Sequence, residues 1–103
     1  MVKQIHSKKD FDSEIASGKL VVVDFFATWC GPCINIAPKY AELAEVEKDV
    51  VFLKVDVDEL SEVAEECEIS AMPTFLIFKN KNKVGSVVGA NIESVKKEIA
   101  KNK

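Results

Sequence analysis

Cys30 and Cys33 lie in the segment Leu20 to Pro38, LVVVDFFATWCGPCINIAP, separated only by Gly31 and Pro32. Cysteines in C-x-x-C spacing supply either half of a zinc site or a redox-active dithiol. A structural zinc site takes four ligands. Beyond this pair the chain offers only Cys67 and His6, with no second close pair. Inert core thiols are the other alternative, but Trp29 and the glycine and proline between the cysteines are poor core material. The residues therefore favour thiol–disulfide chemistry.

That chemistry gives the two thiols different tasks. Cys30 stands where an apolar strand gives way to a helix, at the positive end of the helix dipole and near free backbone N–H groups. Both favour its thiolate, so Cys30 is the nucleophile. Cys33 lies one helical turn further in among apolar neighbours, where a thiol keeps its proton, so it is the resolving thiol. Positions three apart on a helix place Cα atoms at roughly the 5 Å that a disulfide tolerates. Pro32 sits in the first turn, loses no hydrogen bond there, and stiffens the loop that sets how easily the disulfide forms.

Asp24 is the second chemical feature. A carboxylate inside LVVVDFFA is buried on either face of the strand, and desolvation raises its pKa. Such an acid can exchange a proton with Cys33 as the pair opens or closes, with Lys54 on the next strand modulating it. The alternative is a hydrogen-bonded structural aspartate.

The elements that position these residues follow from pattern. Val2 to Ile5 reads as a strand. Ser7 with Asp10 forms a capping box for a helix burying Phe11 and Ile15 and ended by Gly18. Leu20 to Ala27 lacks polar alternation, which predicts a central parallel strand covered on both faces. Gly31 to about Glu47 is a helix with an apolar stripe of Cys33, Ala37, Tyr40, Ala41 and Ala44. Pro38 kinks it, at a cost of about 3 kcal/mol or more. Val51 to Val57 is a strand, and Leu60, Val63, Ala64 and Cys67 form the stripe of a short helix capped by Asp58. Thr74 to Phe78 and Lys83 to Val88 make an antiparallel hairpin. Asn91 caps a last helix burying Ile92, Val95 and Ile99, with a frayed tail from Lys101 to Lys103. The order is βαβαβα and then ββα, an α/β layered fold with a mixed sheet flanked by helices on both faces.

At 103 residues the chain is expected to form one domain. A net charge of −3 gives no electrostatic case for nucleic acid or an anionic membrane surface. Without an apolar secretory leader or a spanning run, the chain is expected to be soluble and cytoplasmic. A reducing compartment argues against a structural disulfide framework for three cysteines. His6 reads as solvated surface, and Cys67 as a small core hydrophobe, with a regulatory thiol as its alternative.

VVVDFFATWCGPC, AMPTF at Ala71 to Phe75, and VVGA at Val87 to Ala90 together resemble the thioredoxin family, in that order and across nearly the whole chain. The resemblance implies the active site at the carboxyl end of the strand ending near Ala27, and a cis Met72–Pro73 peptide. It also implies a substrate surface of Trp29, Gly31, Pro32, Val57, Ala71, Met72, Pro73, Val88, Gly89 and Ala90, on which Met72 offers backbone N–H and C=O to an extended client. Gly89 would keep that groove open. The implied activity is disulfide reduction by a monomer that binds no cofactor itself and is re-reduced by an NADPH-dependent thioredoxin reductase. A binding module indifferent to thiol chemistry, using the same groove, is the alternative. Two departures stand out. Ile34 replaces the basic residue common after the second cysteine, and the hairpin NKNK lacks the usual glycine, so Asn80 or Asn82 is expected in the left-handed conformation.

Overall fold

Val21, Val22, Val23 and Phe25 are all fully buried in one strand, β2 (Val21–Phe26), because both faces of the sheet around it are covered. In this computed structural model, which describes residues 1–103, β2 is preceded by β1 (Val2–Ile5) and α1 (Lys8–Ile15). It is followed by α2 (Gly31–Val46), β3 (Val51–Asp56), α3 (Ser61–Glu66), β4 (Thr74–Lys79), β5 (Asn82–Val88) and α4 (Ile92–Asn102). The strands lie in the order β1-β3-β2-β4-β5. β1, β3 and β2 run parallel, while β4 is antiparallel to β2 and to β5. The expected mixed sheet is thus present, with β2 at its centre.

Alternation along the strands sorts the core into two layers. On one face Val22, Phe52, Phe75 and Ile77 pack under Ile36, Tyr40 and Leu43 of α2 and Val95 and Ile99 of α4. On the other, Val23, Phe25, Val55 and Leu76 meet Phe11 and Ile15 of α1 and Val63 of α3. Asp24, two residues from Val22, falls on the α2 face. Tyr40 anchors α2 to the sheet, its buried hydroxyl 2.8 Å from the Leu53 carbonyl oxygen and 3.1 Å from that of Val22. Burial pushes this phenol's pKa well up, so the hydroxyl stays a donor.

Several local expectations are corrected. The buried stripe of α2 is Cys33, Ile36, Tyr40, Leu43 and Ala44, while Ala37 and Ala41 face solvent. The larger Ile36 and Leu43 bury more apolar area than alanines can, which sets the helix's rotation. At Pro38, by contrast, the helix continues without a break, as expected. Only half of the α1 capping box forms. Ser7 Oγ accepts from the Asp10 N–H at 3.1 Å, but the Asp10 carboxylate turns to Lys3, 3.4 Å away. Asp58 does not cap α3, whose N-cap is Leu60 with no side-chain bond.

At the C-terminus α4 continues to Asn102, whose amide donates to the Glu98 carbonyl, and Lys103 is held by Glu47, so the tail is not frayed there. Asn91 caps α4 as expected, accepting from the Ser94 N–H at 3.1 Å. In the hairpin both Asn80 (φ 51) and Lys81 (φ 71) are left-handed, the geometry of a two-residue type I′ turn, while Asn82 begins β5.

Candidate active site

The site is built where β2 ends and α2 begins. Cys30 is the N-cap of α2, and its Sγ accepts from the Cys33 N–H at 3.3 Å. A sulfur in this position satisfies one of the orphan donors at a helix start, which favours its anionic form when the pair is reduced. The Cα atoms of Cys30 and Cys33 are 5.3 Å apart and their sulfurs are paired as a disulfide. Both residues are buried and pack with Ala27, against Phe26, Val57 and Met72.

Opposite the pair, the Met72–Pro73 peptide is cis, and the Met72 carbonyl oxygen lies 3.6 Å from Cys30 Sγ. Thr74 Oγ1 donates to the Ala71 carbonyl at 2.6 Å, tightening the bend that presents Met72. Gly89 donates its N–H to the Pro73 carbonyl at 2.8 Å and joins this bend to the end of β5. Gly89 has φ 103, a conformation that strains any residue with a side chain. An added Cβ there would meet no atom within 4 Å, so the protein itself excludes a side chain through the backbone. Pro32 and Ala90 line opposite sides of a cleft of about 280 Å³, which puts the start of α2 across from the end of β5.

Trp29 is 68% exposed and Val88 69%, so both stand at the rim. The indole N–H of Trp29 donates to Asp58 Oδ2 at 2.9 Å. Asp58 is itself set by a turn in which its N–H donates to Asp56 Oδ1 at 2.9 Å. Val57 is half-buried between the cysteine cluster and the core, Ala71 and Gly31 are exposed, and Pro73 is buried.

Behind the pair lies a cavity of about 300 Å³ lined by Asp24, Phe26, Ala27, Thr28, Cys33, Ile34, Ala37 and Lys54. Asp24 is 4% exposed and its Oδ1 has no hydrogen-bond partner. Burial pushes its carboxyl up to about 7, against an opposing pull from Lys54. An unpartnered acid with a midpoint near neutrality and a share in the same cavity as Cys33 can accept or return a proton there. A wider cleft of about 510 Å³ between α2 and α4, lined largely by Lys39, Glu42, Glu47, Glu93 and Lys96, contains none of these groups.

The remaining candidates lie apart. His6 is exposed, with Nδ1 2.8 Å from Glu59 Oε2. Cys67 is half-buried against the α1/α3 core, and burial pushes its thiol up. Sequence reasoning missed Asp58 as the partner of Trp29, and the walls that Phe26, Thr28 and Ile34 give the Asp24 cavity. The D-x-D turn at Asp56 to Asp58 is a local signal for the turn, but nothing local links it to Trp29.

The sequence model of the thioredoxin family matches residues 2–101. The chain is 53% identical to thioredoxin-2 of Saccharomyces cerevisiae over 103 residues, 99% of each chain. It is 52% identical to human thioredoxin over 101 residues, 96% of each. Among solved structures, a Plasmodium falciparum thioredoxin superposes with a TM-score of 0.92 at 49% identity, covering 96% of this chain and 97% of the other.

Proposed function

This chain belongs to the thioredoxin family of thiol–disulfide oxidoreductases, and from that premise we propose that it is a protein-disulfide reductase in which Cys30 attacks, Cys33 resolves and Asp24 manages the proton. The carrying observation is that Cys33 and Asp24, whose buried Oδ1 has no partner, line one cavity behind a cysteine that caps a helix.

In the reduced protein the Cys30 thiolate attacks one sulfur of a client disulfide, forming a mixed disulfide and expelling the other client sulfur as thiolate. The Asp24 carboxylate takes the proton of Cys33 across the cavity. The Cys33 thiolate then attacks Cys30 Sγ, forming the Cys30–Cys33 disulfide and expelling the second client sulfur as a thiolate, which takes up the proton held by Asp24. Two electrons pass from the dithiol to the client. Lys54 sets how readily Asp24 ionises, since its positive charge favours the carboxylate.

The client lies across the rim as an extended segment. Met72 pairs with its backbone, as the nearness of its carbonyl to Cys30 Sγ supports. Trp29, Gly31, Pro32, Val57, Ala71, Pro73, Val88, Gly89 and Ala90 complete the contact surface. An NADPH-dependent thioredoxin reductase returns the two electrons, so the protein is an electron carrier that uses no cofactor of its own. Residues 1–103 act as one domain, as a monomer in the cytoplasm, on protein clients rather than nucleic acid or membrane. No helix is long and apolar enough to cross a membrane.

The test is NADPH oxidation coupled through a thioredoxin reductase to reduction of a protein disulfide. Wild type turns over, while Cys33→Ser does not. Full biological activity in a Cys30→Ser, Cys33→Ser double variant would overturn this reading in favour of a redox-indifferent binding module.

A further inference from the structure

Ile34 is 60% exposed and directly follows the second cysteine of the pair. It also lines the cavity that reaches Asp24. One wall of that cavity comes from α2, through Cys33, Ile34 and Ala37, and the other from the end of β2 and from β3, through Phe26, Ala27, Thr28 and Lys54. Ile34 and Ala37 are three apart, so they stand on one helix face as a continuous apolar strip. Across from them the Lys54 Nζ lies 5.5 Å from the centre of the Phe26 ring, drawn onto its face. We propose that Ile34 is a positioning residue for proton transfer, an apolar cover that keeps water and charge from the cavity leading to Asp24.

The physical basis is desolvation, the largest of the influences on the Asp24 carboxyl and the one that holds it protonated. The titratable groups facing Asp24 are Lys54 from β3, and Cys33 and Tyr40 from α2. Of these only Lys54 is a cation, and it opposes desolvation. A second cation at position 34 would reinforce Lys54, and a smaller side chain would admit water. Either change makes the carboxylate easier to form. Ile34 thus separates two properties that share the site, leaving the thiolate of Cys30 to the helix start and the protonation of Asp24 to the cavity.

This inference rests on the proposed role of Asp24, and the experiment separates the two. The Asp24 side-chain carboxyl is titrated by carbon-13 NMR in the oxidised full chain of wild type, Ile34→Lys, Ile34→Ala and Ile34→Leu. The midpoint should fall by about one pH unit in Ile34→Lys and by a smaller amount in Ile34→Ala. Ile34→Leu, which restores an aliphatic cover, should keep the wild-type midpoint. Equal midpoints in all four proteins would overturn the proposal, including the case where the variants change only the rate of client attack through surface contact. The rate of mixed-disulfide resolution in Asp24→Asn is measured alongside. If that rate matches wild type, the role of Asp24 fails, whatever Ile34 does to its midpoint. If it falls while the Ile34 variants leave the midpoint unmoved, only the cover fails.

Discussion

Asp24 and Lys54 are directly paired in the parallel register of β2 and β3, yet they form no ion pair. The Lys54 ammonium instead lies over Phe26, and Asp24 Oδ1 has no partner. The protein therefore holds a buried acid beside a cation that influences it without neutralising it. Removing that influence should push the acid further up. In Lys54→Met the Asp24 midpoint, read by carbon-13 NMR, should lie above the wild-type value of about 7, and mixed-disulfide resolution should need a correspondingly higher pH. A midpoint that stays or falls would contradict the pull assigned to Lys54.

The same acid makes stability depend on pH in a definite direction. The Asp24 midpoint is raised in the fold to about 7 from an ordinary 3.8. Between those values the unfolded chain has released the proton and the folded chain still holds it, so each rise in pH favours unfolding. The penalty is complete above the folded midpoint and vanishes below the unfolded one, with a full size of about 4 kcal/mol. Asp24→Asn should therefore be the more stable protein in urea unfolding at pH 8, and its advantage should shrink steadily as pH falls towards 4. An advantage independent of pH would contradict the assignment.

The exposed indole of Trp29 is oriented by Asp58, and Trp29 is the only tryptophan, so the tryptophan emission comes from this indole alone. Asp58→Ala should change the emission of the folded protein and slow client reduction several-fold. Because the bond is exposed, its loss should cost about 1 kcal/mol or less of folding stability. Unchanged emission and rate would show that the bond does not hold the rim.

Gly89 and Gly31 make a controlled pair, because an added Cβ meets no atom within 4 Å at either position. Only Gly89 has a left-handed backbone. Gly89→Ala should lose about 1–2 kcal/mol to backbone strain. Gly31→Ala, at the start of a helix, should lose none. Thermal unfolding distinguishes them, and equal losses would contradict a backbone origin.

Much of this arrangement was legible in the sequence because it follows from local rules. Unbroken apolar character marked β2 as central, helix spacing brought Cys30 and Cys33 together, and Ser7 and Asn91 announced their caps. The errors fall where distant residues decide. Asp58 has the chemistry of an N-cap but is claimed by Trp29, 29 residues away. Lys103 looks like a free end until Glu47 is placed beside it. The α2 stripe is ambiguous in the sequence because alanine fits either face of a helix, and only the sheet beneath shows that Ile36 and Leu43 turn inward. The left-handed Lys81 has no compositional signal and is imposed by the two-residue loop between β4 and β5. The cis Met72–Pro73 peptide was expected from family resemblance alone, since most X–Pro bonds are trans.

The division of labour between the two cysteines has the most direct test. Cys33→Ser and Cys30→Ser proteins, each reduced, are mixed with a disulfide-containing client, and the products are separated without reductant and mapped by mass spectrometry. Cys33→Ser should accumulate a mixed disulfide through Cys30, because the resolving thiol is gone, whereas Cys30→Ser should accumulate little or none. A stable adduct through Cys33 in Cys30→Ser, formed as fast as the one through Cys30, would contradict the assignment of nucleophile and resolving thiol.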